Sequence, residues 1–203
     1  MTTPATDAGN ISQSGSAPRF KPLVESAMSE AQRQAARDLA SGPRGRMNPH
    51  GPNALLLRSP GLMSHTQRVG AYLRYQSSLP VRIREFTILI TARHWTAQLE
   101  WIEHHPLALK AGLDPAVAAD LLQGKRPAGM KDDEAVVYQF CIELHESKGV
   151  SDATFKAAAD QFGEHGVIDL IGLTGYYSML AMVLNVAREP LPNGVAPPLA
   201  VLK

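Results

Sequence analysis

Cysteine is nearly absent: Cys141 is the single thiol in 203 residues. One thiol can neither close an intrachain disulfide nor form a Cys-x-x-Cys redox pair. It lies in the apolar helical pattern V-V-Y-Q-F-C-I-E-L, which predicts an inert core side chain. An excess of charge is missing too. A net charge of +1, with charged residues at 19%, argues against a nucleic-acid surface or an acidic solvating tail. No apolar run approaches the roughly 18 uninterrupted residues that span a bilayer. The opening MTTPATDAGN has no basic region followed by an apolar one, as a secretory signal would. The expectation is a cytoplasmic protein with neither nucleic acid nor membrane as partner. A Walker loop, G-x-G-x-x-G, G-x-S-x-G and H-E-x-x-H are all missing, so nothing points to a nucleotide or another cofactor. No segment alternates as a strand does, which makes the fold class all-α. The length suits one domain with a sizeable core.

What is present reads as helices between Gly and Pro punctuation. Residues 1–19, rich in Thr, Ser, Ala, Gly and Pro, are expected to form a flexible arm. Residues 20–192 form the domain and 193–203 a proline-rich tail, either an irregular strap or a disordered end. A first helix is predicted from Ser29 to Leu39, then a loop over Gly42–Asn53 in which His50 is either exposed or part of a pocket wall. Ser59-Pro60 supplies an N-cap and a proline at the first helical position, for a helix to about Gln76. Leu79-Pro80 stops and restarts the chain. Val81–Trp95 has apolar residues at 83, 86, 89, 90 and 92, a helical period. Ala97–Ala111 follows, closed by Gly112. Asp114-Pro115 opens a short helix to Gln123 and leads to a basic loop, GKRPAGMK. Asp132–Lys148 is a long amphipathic helix. Ser151 caps another, and Val167–Ala187 is the most apolar. Helix, tight turn, helix, long helix recurs in Leu62–Leu113 and Asp133–Asn185, a hint of internal duplication.

The stretch Arg84–Leu113 carries the chemistry. Glu100 and His104 are four residues apart, hence on one helical face, and Glu85 lies one helix upstream. A carboxylate beside an imidazole makes a proton-transfer pair, because histidine changes charge near neutrality and the carboxylate can fix its tautomer. The same spacing also describes a solvated ion pair on a surface helix. Trp101 and His105 form a second such pair. Pro106 removes a helical hydrogen bond and predicts a kink just past the two histidines. That freed carbonyl suits a site and suits a simple helix junction equally. Adjacent His104 and His105 point about 100° apart on a helix, so they do not share an ion, and no metal site is expected. Glu85 and Arg93 can share one flank of their helix.

These residues resemble the carboxymuconolactone decarboxylase family, which includes the AhpD-like disulfide reductases. The likeness runs through Leu79-Pro80, REFTILITAR, the E-W-x-x-H of Glu100–His104 and the P-L-A-L-K-A-G-L of Pro106–Leu113. Weaker similarity extends from Gly51–Leu62 to Tyr176–Asn185. The resemblance implies an AhpD-like helical bundle assembled as a homotrimer or ring of six, with sites near subunit interfaces. The peroxidase branch has a glutamate, a Cys-x-x-Cys pair and a histidine, which fall here on Glu85, Ala97 with Glu100, and His104. Neither cysteine position holds a thiol. The decarboxylase branch instead uses an acid/base site with a glutamate four residues before the histidine, as in Glu100 and His104.

The expected function is therefore a cofactor-free carboxy-lyase acting on a small carboxylated lactone or a related intermediate of aromatic-compound catabolism. Loss of CO₂ leaves a delocalised carbanion to be protonated. It needs a cation to hold a carboxylate, a proton donor and a dry pocket. His104 is the expected donor, Glu100 or Glu85 its orienting partner, and Arg93 and Trp101 the substrate-binding residues. Arg93 is equally suited to a structural ion pair with Glu85 or Glu100. The alternatives are an AhpD-like alkylhydroperoxidase and a non-catalytic helical oligomer.

Overall fold

The computed structural model describes residues 17–201 apart from 44, 46, 47 and 49. Over the described residues the chain forms eight α-helices and no strand: α1 (Glu30–Ala40), α2 (Pro52–Leu56), α3 (Pro60–Tyr75), α4 (Val81–Trp95), α5 (Gln98–Lys110), α6 (Pro115–Leu122), α7 (Asp132–Ser147) and α8 (Asp152–Ala187). Several begin where short polar side chains replace the partners that first-turn N–H groups lack. Ser29 accepts from Gln32 N while the Gln32 side chain accepts from Ser29 N, closing a capping box. Asp114 accepts from Ala116 N, and Ser151 from Thr154 N. Ser59 occupies the N-cap position of α3 but makes no cap bond, so proline at the helix start carries that signal alone. The short α2 lies at the edge of the expected loop. It opens after Gly51, whose φ of 88° suits glycine.

Helix α4 is the axis of the molecule. Every residue from 85 to 93 is buried, so the helix is covered all round rather than on one face. Its threonines remain satisfied because Thr87 and Thr91 donate to the carbonyls one turn back, Ile83 O and Thr87 O. One core packs α4 to α8 around Ile83, Phe86, Leu89, Trp101, Val117, Phe140 and Leu170. Cys141 lies in this core, fully buried, and burial pushes its thiol up to about 12. A second core joins α1, α3, α4 and the later part of α8 through Leu39, Met63, Leu73, Ile88, Leu173, Tyr176 and Tyr177.

The two halves of the suggested repeat differ. Thr96, at φ 51°, makes a turn between α4 and α5. At the corresponding place in the second half the chain kinks at Gly163, where two helical limbs of α8 meet. Asp169 on α8 accepts from Tyr72, Ser77, the Ser78 amide and the Ser78 hydroxyl, tying the α3–α4 turn to α8. The tail is an irregular strap: Leu199 exchanges hydrogen bonds with the Gln98 side chain and is buried. The first 16 residues of the expected arm lie outside the described residues. Arg19, at its end, bonds to the carbonyls of Ala187 and Val186. An 18-residue window of α8 has a mean hydropathy of 1.7, enough to cross a membrane by composition, yet 56% of it is buried inside the fold.

Candidate functional site

Glu85 sits in the second turn of α4 and His104 in the middle of α5, and the tight turn at Thr96 lays these helices side by side. His104 Nδ1 and Glu85 Oε2 are 2.6 Å apart, a short charge-assisted hydrogen bond. On the other side of the ring, His104 Nε2 is 3.6 Å from Glu100 Oε2, an ion-pair distance. The exposures of Glu85, Glu100 and His104 are 7%, 3% and 3%, which removes the reading as a solvated surface pair. The hydrogen-bond pattern assigns a proton to Nδ1, because a carboxylate can only accept there. Glu85 therefore orients the ring, and Glu100 faces the nitrogen that is left to exchange protons. With one carboxylate at each ring nitrogen, the imidazole bridges two acids.

Two side chains that sequence reasoning did not assign complete the surroundings. Tyr177 stands edge-on to His104, with ring centroids 5.1 Å apart, and Tyr176 stands edge-on to Tyr177 in turn. Burial pushes the Tyr177 hydroxyl well above its ordinary value, so it remains a neutral donor. The other is Arg74 in the last turn of α3, half-buried, with its guanidinium 5.5 Å from the centroid of the Tyr75 ring; against the cost of burial, the fields of Tyr177, Tyr75, Glu85 and Glu100 raise its pKa.

Arg93 and Trp101 are placed elsewhere than expected. The Arg93 guanidinium donates to Leu122 O, Thr96 Oγ1 and Ala200 O, so it clamps the C-terminal strap and the end of α6. The ion pair with Glu85 or Glu100 expected of it is not formed. Burial lowers its pKa. Trp101 lies in the α4–α8 core with His105 stacked on it at 5.7 Å, so it is a packing residue. Pro106 is accommodated inside α5, which runs on to Lys110. His94 stacks on His145 at 4.2 Å, away from His104. His50 is exposed, 3.7 Å from Glu189, and also lines a cavity of about 560 Å³ between the N-terminal segment, α1 and α2. None of Glu85, Glu100, His104 or Tyr177 lines that cavity. Among the described residues no group of three or more His, Cys, Asp or Glu is arranged to hold a metal ion. The Glu85–His104–Glu100 oxygens sit at opposite ring nitrogens and do not converge on one point.

A scan against protein-family models finds no match to this chain, and a search of curated proteins finds none either.

Proposed function

We propose that this protein is a cofactor-free carboxy-lyase that protonates the carbanion left when CO₂ departs from a small carboxylated lactone. The observation that carries the reading is the buried histidine held between two carboxylates, Glu85 at 2.6 Å and Glu100 at 3.6 Å. The resemblance of the Arg84–Leu113 stretch to the carboxymuconolactone decarboxylase family supports it. In the step itself the bond from carbon to the departing carboxylate breaks, and its electron pair stays on carbon as a lactone enolate. The His104 proton then moves to that carbon, so one carboxylate and one proton become one C–H bond and one CO₂. Glu85 keeps the ring in register, and Glu100 stabilises the charged form before transfer. His104→Gln keeps polarity but cannot relay a proton. Its rate of CO₂ release from a panel of lactone carboxylic acids is expected to fall about 10²–10⁴-fold. A variant within about threefold of wild type removes His104 from the chemistry.

The peroxidase alternative needs two adjacent thiols, and the chain has one, buried in the core. A non-catalytic helical oligomer is favoured by a different observation. Ile168, Ile171, Met182 and Val186 leave an exposed apolar stripe along α8, the kind of surface that subunits cover. The stripe equally supports the homotrimer or hexamer proposed for the enzyme. The two readings separate on soaking with lactone acids: specific density beside His104 speaks for the enzyme, and none anywhere near it speaks for the scaffold.

A further inference from the structure

The cavity of about 560 Å³ between the N-terminal segment, α1 and α2 has no part in the reaction proposed above, since none of Glu85, Glu100 and His104 lines it. We propose that it binds an elongated amphipathic monocarboxylate, a fatty acid in the simplest case, with the head at Lys21 and Arg58. Such a site stands whether or not the chain is a carboxy-lyase.

The room for a ligand originates in the sequence of α1. Arg33, Ala36, Arg37 and Ala40 line the cavity, and their i, i+3, i+4, i+7 spacing makes them one helical face. Ala35 and Leu39, on the neighbouring face, are buried in the second core, so the helix cannot roll to close the gap. The two alanines leave volume that longer side chains would take. Ala54 does the same on α2, while Leu23 and Met28 supply an apolar wall from the N-terminal segment. That segment is fastened twice: the Arg33 side chain donates to Met28 O, and the Arg58 side chain to Lys21 O. The cavity is therefore preformed, and its size falls in the range of small-molecule pockets. A mostly apolar wall calls for a mostly apolar ligand body.

Ion pairing decides where the head lies. Arg33 and Arg37 share the Glu30 carboxylate, at 3.1 and 2.7 Å. Glu189, an acid of the lining, accepts from Gly51 N and has His50 3.7 Å away. Glu25, the other acid, is exposed and pairs with no cation among the described residues. Arg58 has neutral partners only. It donates to Ala54 O and Lys21 O and lies 4.8 Å from the centroid of the Phe20 ring. These bonds use two of its five N–H groups and hold the guanidinium in place. The Lys21 ammonium has no carboxylate partner among the described residues either. Two uncompensated cations thus line one side of the cavity, where the Arg58 side chain meets the Lys21 carbonyl. A ligand carboxylate there gains charge-assisted hydrogen bonds from a fixed fork. The α1 arginines already hold a carboxylate, so the ligand is charged at one end only.

The test is calorimetry on the full chain with decanoate, octanoate and 1-decanol, each below its aggregation limit. Wild type is expected to bind decanoate saturably, one per chain. Octanoate, two methylenes shorter, should bind about tenfold more weakly. Decanol keeps the chain and lacks the charge, and should bind about 10- to 100-fold more weakly than decanoate. Lys21→Gln removes an exposed ammonium but leaves the carbonyl that Arg58 holds, so the wall stays intact. It should weaken decanoate about two- to fivefold. Ala36→Leu fills the cavity from α1 and should weaken decanoate at least about tenfold. Far-UV circular dichroism and thermal midpoints check the fold of both variants, and the decanol comparison needs no variant at all. His104→Gln should bind decanoate as wild type does. No saturable binding by wild type overturns the proposal, and so does decanol bound as tightly as decanoate. Unchanged affinity in Ala36→Leu would put the ligand elsewhere, on the apolar stripe of α8 for instance, and overturn it too. Decanoate binding that is lost in His104→Gln would assign the ligand to the reaction site instead. Failure of CO₂ release from every lactone acid defeats the lyase and leaves this site untouched.

Discussion

His104 gains its potential from burial rather than from the Glu-x-x-x-His spacing that marks it. The same spacing on a wet surface would contribute a few tenths of a kcal/mol, whereas here the ring bridges two carboxylates with almost no water. Spacing identified Glu100 and His104, and the family likeness pointed to Glu85. The division of labour between the acids came from three-dimensional geometry alone. Arg93 shows the limit of a helical wheel. On paper it shares a flank with Glu85, but α4 is buried all round and each flank meets a different neighbour. Two outcomes follow for Glu85. Glu85→Gln keeps an acceptor for His104 Nδ1–H, and its urea unfolding should stay close to wild type. Glu85→Ala leaves that N–H buried and unpaired and should cost about 1–3 kcal/mol. Equal stabilities for the two variants would mean that the 2.6 Å bond does not orient the ring.

Element boundaries were the most legible level, because their causes are local. Ser29, Asp114 and Ser151 announce helices and cap them. The two limbs of α8, expected as separate helices, do meet at a kink, but the link between them was not legible because it is a backbone conformation. Gly163 has φ 68° and ψ 170°, a region open essentially to glycine. A Cβ at this position would meet nothing within 4 Å, so space is not what requires glycine there. Gly163→Ala should therefore destabilise by about 1–3 kcal/mol through backbone strain alone. Denaturant midpoints check this, and an unchanged midpoint would show that α8 straightens at no cost. The strap gives a second case. Arg93→Met removes the donor to Ala200 O and Thr96 Oγ1 and should speed proteolytic trimming of the tail. Trimming at the wild-type rate would show that Leu199 and Gln98 hold the tail unaided.

For the whole molecule, a near-neutral charge balance hides groups whose titration the fold resists, and His145 and Asp169 are two that contribute to its response to acid. His145 packs in the core side of α7, where its Nε2–H donates to Thr91 Oγ1 at 3.3 Å, since that hydroxyl already donates to Thr87 O. Burial, with His94 stacked on it and Lys148 close by, lowers its pKa to about 4 from the model-compound value of 6.5. The unfolded chain therefore takes up this proton at higher pH than the native state does. Stability is full above about 6.5 and falls as the pH drops from there to about 4, below which both states are charged. Asp169 acts lower on the scale. Despite its burial, donors from Ser77, Ser78 and Tyr72 hold its pKa below 3.8, so its contribution is present above that value and is lost as the pH falls through the native one. The two windows adjoin, with histidine responsible for the upper and the carboxylate for the lower. Thermal midpoints at pH 7.0, 5.5 and 4.5 should thus fall steadily in wild type, in the span of roughly 6.5 to 4 over which a buried neutral histidine resists charging. His145→Gln retains an N–H donor for Thr91 and cannot titrate. Its midpoints should change less over that interval and then drop below pH 4 as Asp169 protonates. Parallel curves for the two proteins would assign the acid response to other groups and return His145 to ordinary packing.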